Sequence, residues 1–157
     1  MSIIMANTYT QIYMHIVFAV SCRKSLISEE WCDELYKYIV AACKNRKHHV
    51  ISICGVSDHI HILVSMHPSE SVSSLVQSLK IQSSKWINDK YLHGDFGWQS
   101  GYSAFSYSRS LINQVSNYIM NQKNHHKHST FREELLRFYK SANMDYDEKF
   151  IMVGFDE

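Results

Sequence analysis

The stretch "DHIHILVSM", Asp58 to Met66, sets two histidines, His59 and His61, one residue apart inside an apolar run. In an extended strand residues i and i+2 share a face. Ile60, Ile62, Val64 and Met66 then point to one side, and His59, His61, Leu63 and Ser65 to the other. Each imidazole carries ring nitrogens that need partners, so two on one face are a costly packing choice. They suit a shared metal ion, because neutral imidazole is a common ligand. Taken alone, an H-x-H in a chain with ten histidines is more often a pair of surface residues on a half-exposed strand.

A second group lies in "YIMNQ". Tyr118 and Gln122 are four residues apart, one helical turn, and share a helix face. A phenol is a poor nucleophile at its usual pKa, but it can attack a phosphorus polarised by a divalent cation. Gln122 can add a carbonyl oxygen as a third ligand beside His59 and His61. Two nitrogens and one oxygen with open positions suit Mg²⁺ or Mn²⁺ held jointly with a phosphate better than a closed zinc site. Alone, Tyr118 reads as a core aromatic beside Val115 and Ile119, and Gln122 as a solvated helix position. The combination with the histidine pair favours chemistry.

The elements that must position these groups follow from the pattern. Gln11 to Val20 alternates, with Ile12, Met14, Ile16 and Phe18 on one face and Tyr13, His15 and Val17 on the other, which predicts a strand. Ser28-Glu29-Glu30 predicts a helix start, with Trp31, Leu35, Ile39 and Ala42 as its apolar stripe to about Lys47. Val50–Val56 and His59–Met66, separated by Ser57-Asp58, predict a β-hairpin. Pro68-Ser69-Glu70 opens a second helix, with Val72, Leu75, Leu79 and Trp86 on its buried side, ending near Leu92. The loop "HGDFGWQSG" follows, then a fourth strand from Tyr102 to Ser108 and a third helix from Ser110. Thr130 and Glu133 form a capping box for a fourth helix to about Ala142.

This order, β-α-β-β-α-β with further C-terminal helices, predicts an α+β, ferredoxin-like (RRM-like) four-stranded antiparallel sheet. Its first and third strands are central. Two crossover helices cover the face of Ile60 and Ile62, the opposite face with His59 and His61 is left free, and the helix carrying Tyr118 is placed to cross it.

Length and composition fit this picture. The chain has 157 residues, 45% of them apolar, with one proline and five glycines, which suits one globular domain, residues 1–142, and excludes a disordered chain. No membrane span, leader pattern or C-x-x-C pair is visible, so Cys22, Cys32, Cys43 and Cys54 are expected as free thiols of a cytoplasmic protein. The net charge of +1 hides an asymmetry. Residues 143–157, an acidic tail, hold five acids and one base, leaving +5 on the first 142 residues. A basic body is compatible with nucleic-acid binding. Arg23 and Lys24 after the first strand, Lys80 and Lys85 in the second helix, and Lys123 are candidate phosphate contacts. Each is as readily a solvated cation. Trp98 could stack on a base or, more favourably, pack on the sheet.

With "TYTQIYMHIVFAV", "GVSDHIHILVSM", "WQSGYSAFSYS" and "VSNYIMNQKNHH" in this order, residues 7 to 140 resemble the single-tyrosine HUH transposases of small bacterial insertion sequences, the IS-two-hundred-like class. The resemblance implies that His59 and His61 bind the metal with Gln122 as third ligand. Tyr118 would form a 5′-phosphotyrosine and release a 3′-OH. The substrate would be single-stranded DNA with subterminal hairpins, and the protein a homodimer with composite sites. Rejoining conserves the phosphodiester energy, in keeping with the absence of a G-x-x-x-x-G-K-[ST] motif. Three other readings stand beside it: a domesticated palindrome-binding endonuclease, a non-catalytic ferredoxin-like nucleic-acid binder, and a metal-dependent hydrolase. The binder would carry aromatics rather than histidines on its central strands, and the hydrolase would not need Tyr118.

Overall fold

The computed structural model describes residues 7–155; Asp156 and Glu157 of the acidic tail lie outside the described residues. Four strands, β1 (Tyr13–Ala19), β2 (His49–Val56), β3 (His59–Ser65) and β4 (Ser103–Tyr107), form one antiparallel sheet in the order β2-β3-β1-β4. The chain is α+β with the predicted ferredoxin-like strand order, and β1 and β3 are central. Their register sets Val17 opposite His61 and Ala19 opposite His59.

Helices α1 (Cys32–Asn45) and α2 (Val72–Ile87) cover one face. Leu35 and Ile39 of α1 and Leu75 and Leu79 of α2 bury against Ile16, Phe18, Ile60 and Ile62. Both helices begin later than their sequence signals suggest. Ser28 accepts from the Glu30 amide (3.1 Å) in a turn ahead of α1, so the acids in the first turn are Asp33 and Glu34. In α2 the cap is Ser71, which accepts from the Ser74 amide (3.1 Å). A single π-helical turn, Asn88–Leu92, extends α2 to the expected end.

The other face is crossed by the helix that carries Tyr118, as expected, and by a further helix. Helix α3 (Ile112–Met120) seats Ile112 and Ile119 on Leu63. The helix read as continuous through Gln122 breaks at Asn121, and a short turn, α4 (Gln122–His125), follows. Helix α5 (Phe131–Ser141), closed by the Thr130/Glu133 capping box, buries Phe131, Leu135 and Tyr139 against Val17, Ala19 and Phe105. Beyond α5 the chain folds back and buries Ile151 and Met152 in this same cluster. His59 and His61 are therefore fully buried under a second layer, made by the Tyr118 helix expected to cross their face and by α5 and the returning C-terminal segment, which the sequence pattern does not place there. The reason is the amphipathic α5, whose apolar stripe needs a surface to cover.

Candidate active site

β3 aims His59 and His61 at the helical layer, and each ring is held from behind. His59 Nδ1 lies 2.6 Å from Asp58 Oδ1, and His61 Nδ1 lies 2.7 Å from His15 Nε2. His15 reaches His61 because the register makes them diagonal neighbours across the β1–β3 ladder. Protons on both Nδ1 atoms would leave both Nε2 lone pairs aimed into the layer between sheet and helices. Phe131, the first residue of α5, stacks on the His59 ring at 3.8 Å.

The side chain at the focus is Glu134. Its Oε1 lies 2.9 Å from His61 Nε2, 3.2 Å from His126 Nε2 and 3.3 Å from His59 Nε2. Its Oε2 accepts the Tyr118 hydroxyl and, at 3.2 Å, the Gln122 amide. The helix break at Asn121 does not separate Tyr118 from Gln122, since both converge on this one oxygen. Tyr118 also stacks on His125, ring centroids 4.2 Å apart.

The donor set fits a divalent cation. His59, His61, His126 and Glu134 offer ligand atoms within 4.8 Å of one another. Carboxylate oxygens and imidazole lone pairs are all acceptors and repel unless a proton or a metal lies between them. Among the described residues His59 Nε2 and Gln122 Oε1 are buried with no hydrogen-bond partner; the 3.3 Å approach of His59 to Glu134 is out of line for one. A cation at the focus would satisfy both.

Electrostatics point the same way. Burial disfavours the charged carboxylate of Glu134, but the His61 charge, the hydrogen bonds of His126 and His61 and the close approach of His59 outweigh it and hold Glu134 far below the usual carboxylate range. Burial lowers His59 too, yet Asp58 and Glu134 raise it overall. His61 is lowered, chiefly by burial. Burial, then the Glu134 charge, pushes the Tyr118 phenol well above its ordinary value. A tyrosine facing a bare carboxylate is a suppressed nucleophile, and positive charge on the cluster reverses that.

His59, His61, Tyr118 and Gln122, all read from the sequence, are thus brought together. Glu134, His126, His15 and Asp58 were not singled out. Two of them left a signal. His126 continues the spacing of Tyr118 and Gln122 by four, and Glu134 is an acid inside the apolar stripe of Phe131, Leu135 and Phe138.

The candidate DNA cations are not gathered at the site. Lys80 donates to the Gln99 carbonyl (2.8 Å) and Lys85 pairs with Asp89 (2.7 Å), both on α2 behind the sheet. Arg23 holds the Phe155 carbonyl (2.7 Å), and Lys24 is exposed. Lys123 alone lies near the cluster, paired with Glu29 at 3.1 Å. Trp98 packs edge-on to Phe18 and donates to Ser83 (3.0 Å). A cleft of about 770 Å³ opens beside His126, and a smaller cavity of about 280 Å³ adjoins Tyr118.

The ISDra2 transposase TnpA of Deinococcus radiodurans is 25% identical over 118 residues, covering 71% of this chain and 84% of that protein. A crystal structure from Deinococcus radiodurans R1 superposes with a TM-score of 0.60 at 20% identity, over 74% of this chain and 95% of that one. The REP-associated tyrosine transposase bound to a REP hairpin superposes with a TM-score of 0.58 at 15% identity, over 100% of this chain and 99% of that one. These likenesses share the fold described above. The family model described as "Transposase IS200 like" matches residues 8–122, the span that carries His59, His61, Tyr118 and Gln122, and on that match the chain belongs to the IS200-like transposase family.

Proposed function

We propose that this transposase cuts and rejoins single-stranded DNA with Tyr118 as the nucleophile, with Mg²⁺ or Mn²⁺ bound by His59, His61, His126 and Glu134. The observation that carries this is the convergence of Tyr118, Gln122 and three histidines on the two oxygens of Glu134. The cation, when bound, supplies positive charge to the scissile phosphate and cancels the carboxylate charge that suppresses the phenol.

Tyr118 Oη forms a bond to phosphorus as the P–O3′ bond breaks. Glu134 Oε2 accepts the hydrogen bond that orients the phenol; the phenolic proton is released to solvent, and the departing 3′-oxygen takes a proton from solvent. Attack by another strand's 3′-OH on the 5′-phosphotyrosine reverses the step and restores a phosphodiester. His15 and Asp58 hold the two histidine rings throughout. The Gln122 amide holds Glu134 Oε2, and its carbonyl oxygen can turn to the cation as a further ligand.

The substrate we propose is hairpin-bearing single-stranded DNA. The structural likeness that runs through the whole chain is to a hairpin-bound transposase, and a tyrosine in a walled layer needs a strand free to bend into it. The homodimer with shared sites implied by the resemblance is also a proposal; the geometry supports a site complete within one chain.

The test is incubation with Mg²⁺ or Mn²⁺ and hairpin-bearing oligonucleotides from element ends. A covalent protein–DNA adduct is expected, lost in Tyr118→Phe and not formed with a perfect duplex of the same sequence. Because only the phenolic oxygen is removed, the variant should keep its fold and its DNA binding. An adduct in Tyr118→Phe would transfer the role to another tyrosine.

A further inference from the structure

A cleft of about 770 Å³ is not used by the chemistry above. It lies between α1, the β2–β3 turn and the α4–α5 connection, and His126 forms part of its wall. Ile27, Cys32, Val56 and Phe131 make an apolar floor, with Tyr36 at one side. Its volume of about 770 Å³ falls in the range of pockets that hold small ligands, roughly 300–1,000 Å³.

The charges at its rim are unequally engaged. Glu29 pairs with Lys123, Glu133 is spent in the capping box of α5, and Asp58 binds His59 and the Phe155 amide. Lys127 and His128, by contrast, make no ion pair or side-chain hydrogen bond among the described residues. An apolar floor beneath an uncommitted lysine and an imidazole donor suits a base with its phosphate.

Its position gives the strand a direction. Tyr118 lines the smaller cavity, with Tyr107, Arg137 and Phe138, and the two cavities share no lining residue. Glu134 stands between them, Oε2 toward Tyr118 and Oε1 toward His126. In-line displacement puts the leaving oxygen opposite the attacking one. With Tyr118 attacking from its side, the leaving 3′-oxygen faces the His126 side and the large cleft.

We propose that this cleft is a subsite for an unpaired nucleotide of the DNA strand, the one on the 5′ side of the scissile phosphate that keeps the 3′-OH after cleavage. This rests on the reading of Tyr118 and the metal cluster given above. The cleft then holds the released 3′ end near the phosphotyrosine, or receives the 3′ end that rejoins it.

The experiment uses the full chain carrying Tyr118→Phe, with Mn²⁺, and two eight-nucleotide oligothymidylates. One ends in a 3′-phosphate and the other in a 5′-phosphate, each with 5-iodouracil at the phosphorylated end and fluorescein at the other. The 3′-phosphate oligomer should cross-link to peptides holding Tyr36, His128 or Phe131. Lys127→Glu should weaken it at least fivefold, while the charge-matched Lys90→Glu changes it less than twofold. Binding of the 5′-phosphate oligomer should respond less than twofold to Lys127→Glu. Equal effects of Lys127→Glu and Lys90→Glu, or cross-links of the 3′-phosphate oligomer around Tyr107 and Arg137, would overturn the subsite and leave the transposase reading standing. If neither oligomer binds at micromolar protein, both the subsite and the single-strand reading fall.

Discussion

Glu134 decides the character of the site, because among the described residues it is the acid that faces the buried His59 and His61, the part-buried His126 and the phenol together. Glu134→Gln keeps its size and removes its charge. Taking one partner from a buried charged set costs about 3–5 kcal/mol. Urea unfolding of the metal-free variant should show a loss of that order, and Mn²⁺ titration a large loss of affinity. A variant as stable as the parent that still binds Mn²⁺ tightly would remove Glu134 from the centre of the site. The sequence displayed only part of this group. His59 with His61 and Tyr118 with Gln122 are visible because strand and helix periods bring near neighbours in sequence to one face. Glu134 lies 73 residues from His61, and His15 lies 46 from it. Those contacts exist only once the β1–β3 register and the packing of α5 are set, and no local period encodes them.

The elements were easier to read than their joints. Strand alternation and helical stripes gave β1 to β4 and the long helices, since burial of one face dominates both patterns. The starts of α1 and α2 moved by a few residues because several serines compete as caps, and the break at Asn121 has no glycine or proline to mark it. The joint between α1, β2 and α2 carries its own test. Glu70 binds Arg46 and, at 2.8 Å, His48. Hydrogen bonds from Arg46, then His48 and Ser74, outweigh burial and pull its carboxyl down to about 2. A depressed carboxyl pKa adds stability above its unfolded value, near 4.5, and loses it as pH falls toward 2. Glu70→Gln should therefore cost on the order of 1 kcal/mol near neutrality, allowing for solvent screening of Arg46. The difference from wild type should shrink to nothing between pH 4.5 and 2 in thermal melts. A pH-independent difference would assign the loss to packing. The returning C-terminal segment is a second joint. A Cβ on Gly154 would stand 2.3 Å from Asp58 Oδ2 and 3.4 Å from Phe131 Cβ. Asp58 is held there by the Phe155 amide at 3.0 Å and His59 at 2.6 Å. Gly154→Ala should cost about 1–3 kcal/mol, as overpacking does, and weaken Mn²⁺ binding by disturbing His59. Unchanged metal affinity would uncouple the segment from the site.

For the molecule as a whole the question is whether one chain holds a complete site. Tyr118 and His61 of the same chain lie with ring centroids 6.2 Å apart, and both reach Glu134. The packing of α3 explains why exchange would be costly. Ile112 and Ile119 are at most 2% exposed against Leu63. Lifting them into water forfeits about 1.5–3 kcal/mol for each side chain. A partner's α3 would have to bury the same pair on the same surface to break even, and its tether, from β4 through one 3₁₀ turn (Arg109–Leu111), is short. Mixing Tyr118→Phe with His59→Asn separates the two arrangements. In each pure variant every site is defective. If the site is built within a chain, mixed oligomers still contain only defective sites, and no covalent DNA adduct should form. If α3 works across a subunit boundary, each mixed dimer holds one wild-type pair of His59 and Tyr118; random exchange makes about half the dimers mixed, so adduct formation should recover toward about a quarter of the wild-type level. Subunit exchange must be verified with differently tagged chains, and the metal-free stability of His59→Asn measured, because its ring stacks on Phe131. We expect no recovery; recovery in the mixture would mean that α3 leaves its own sheet and that the buried isoleucines are covered by the partner.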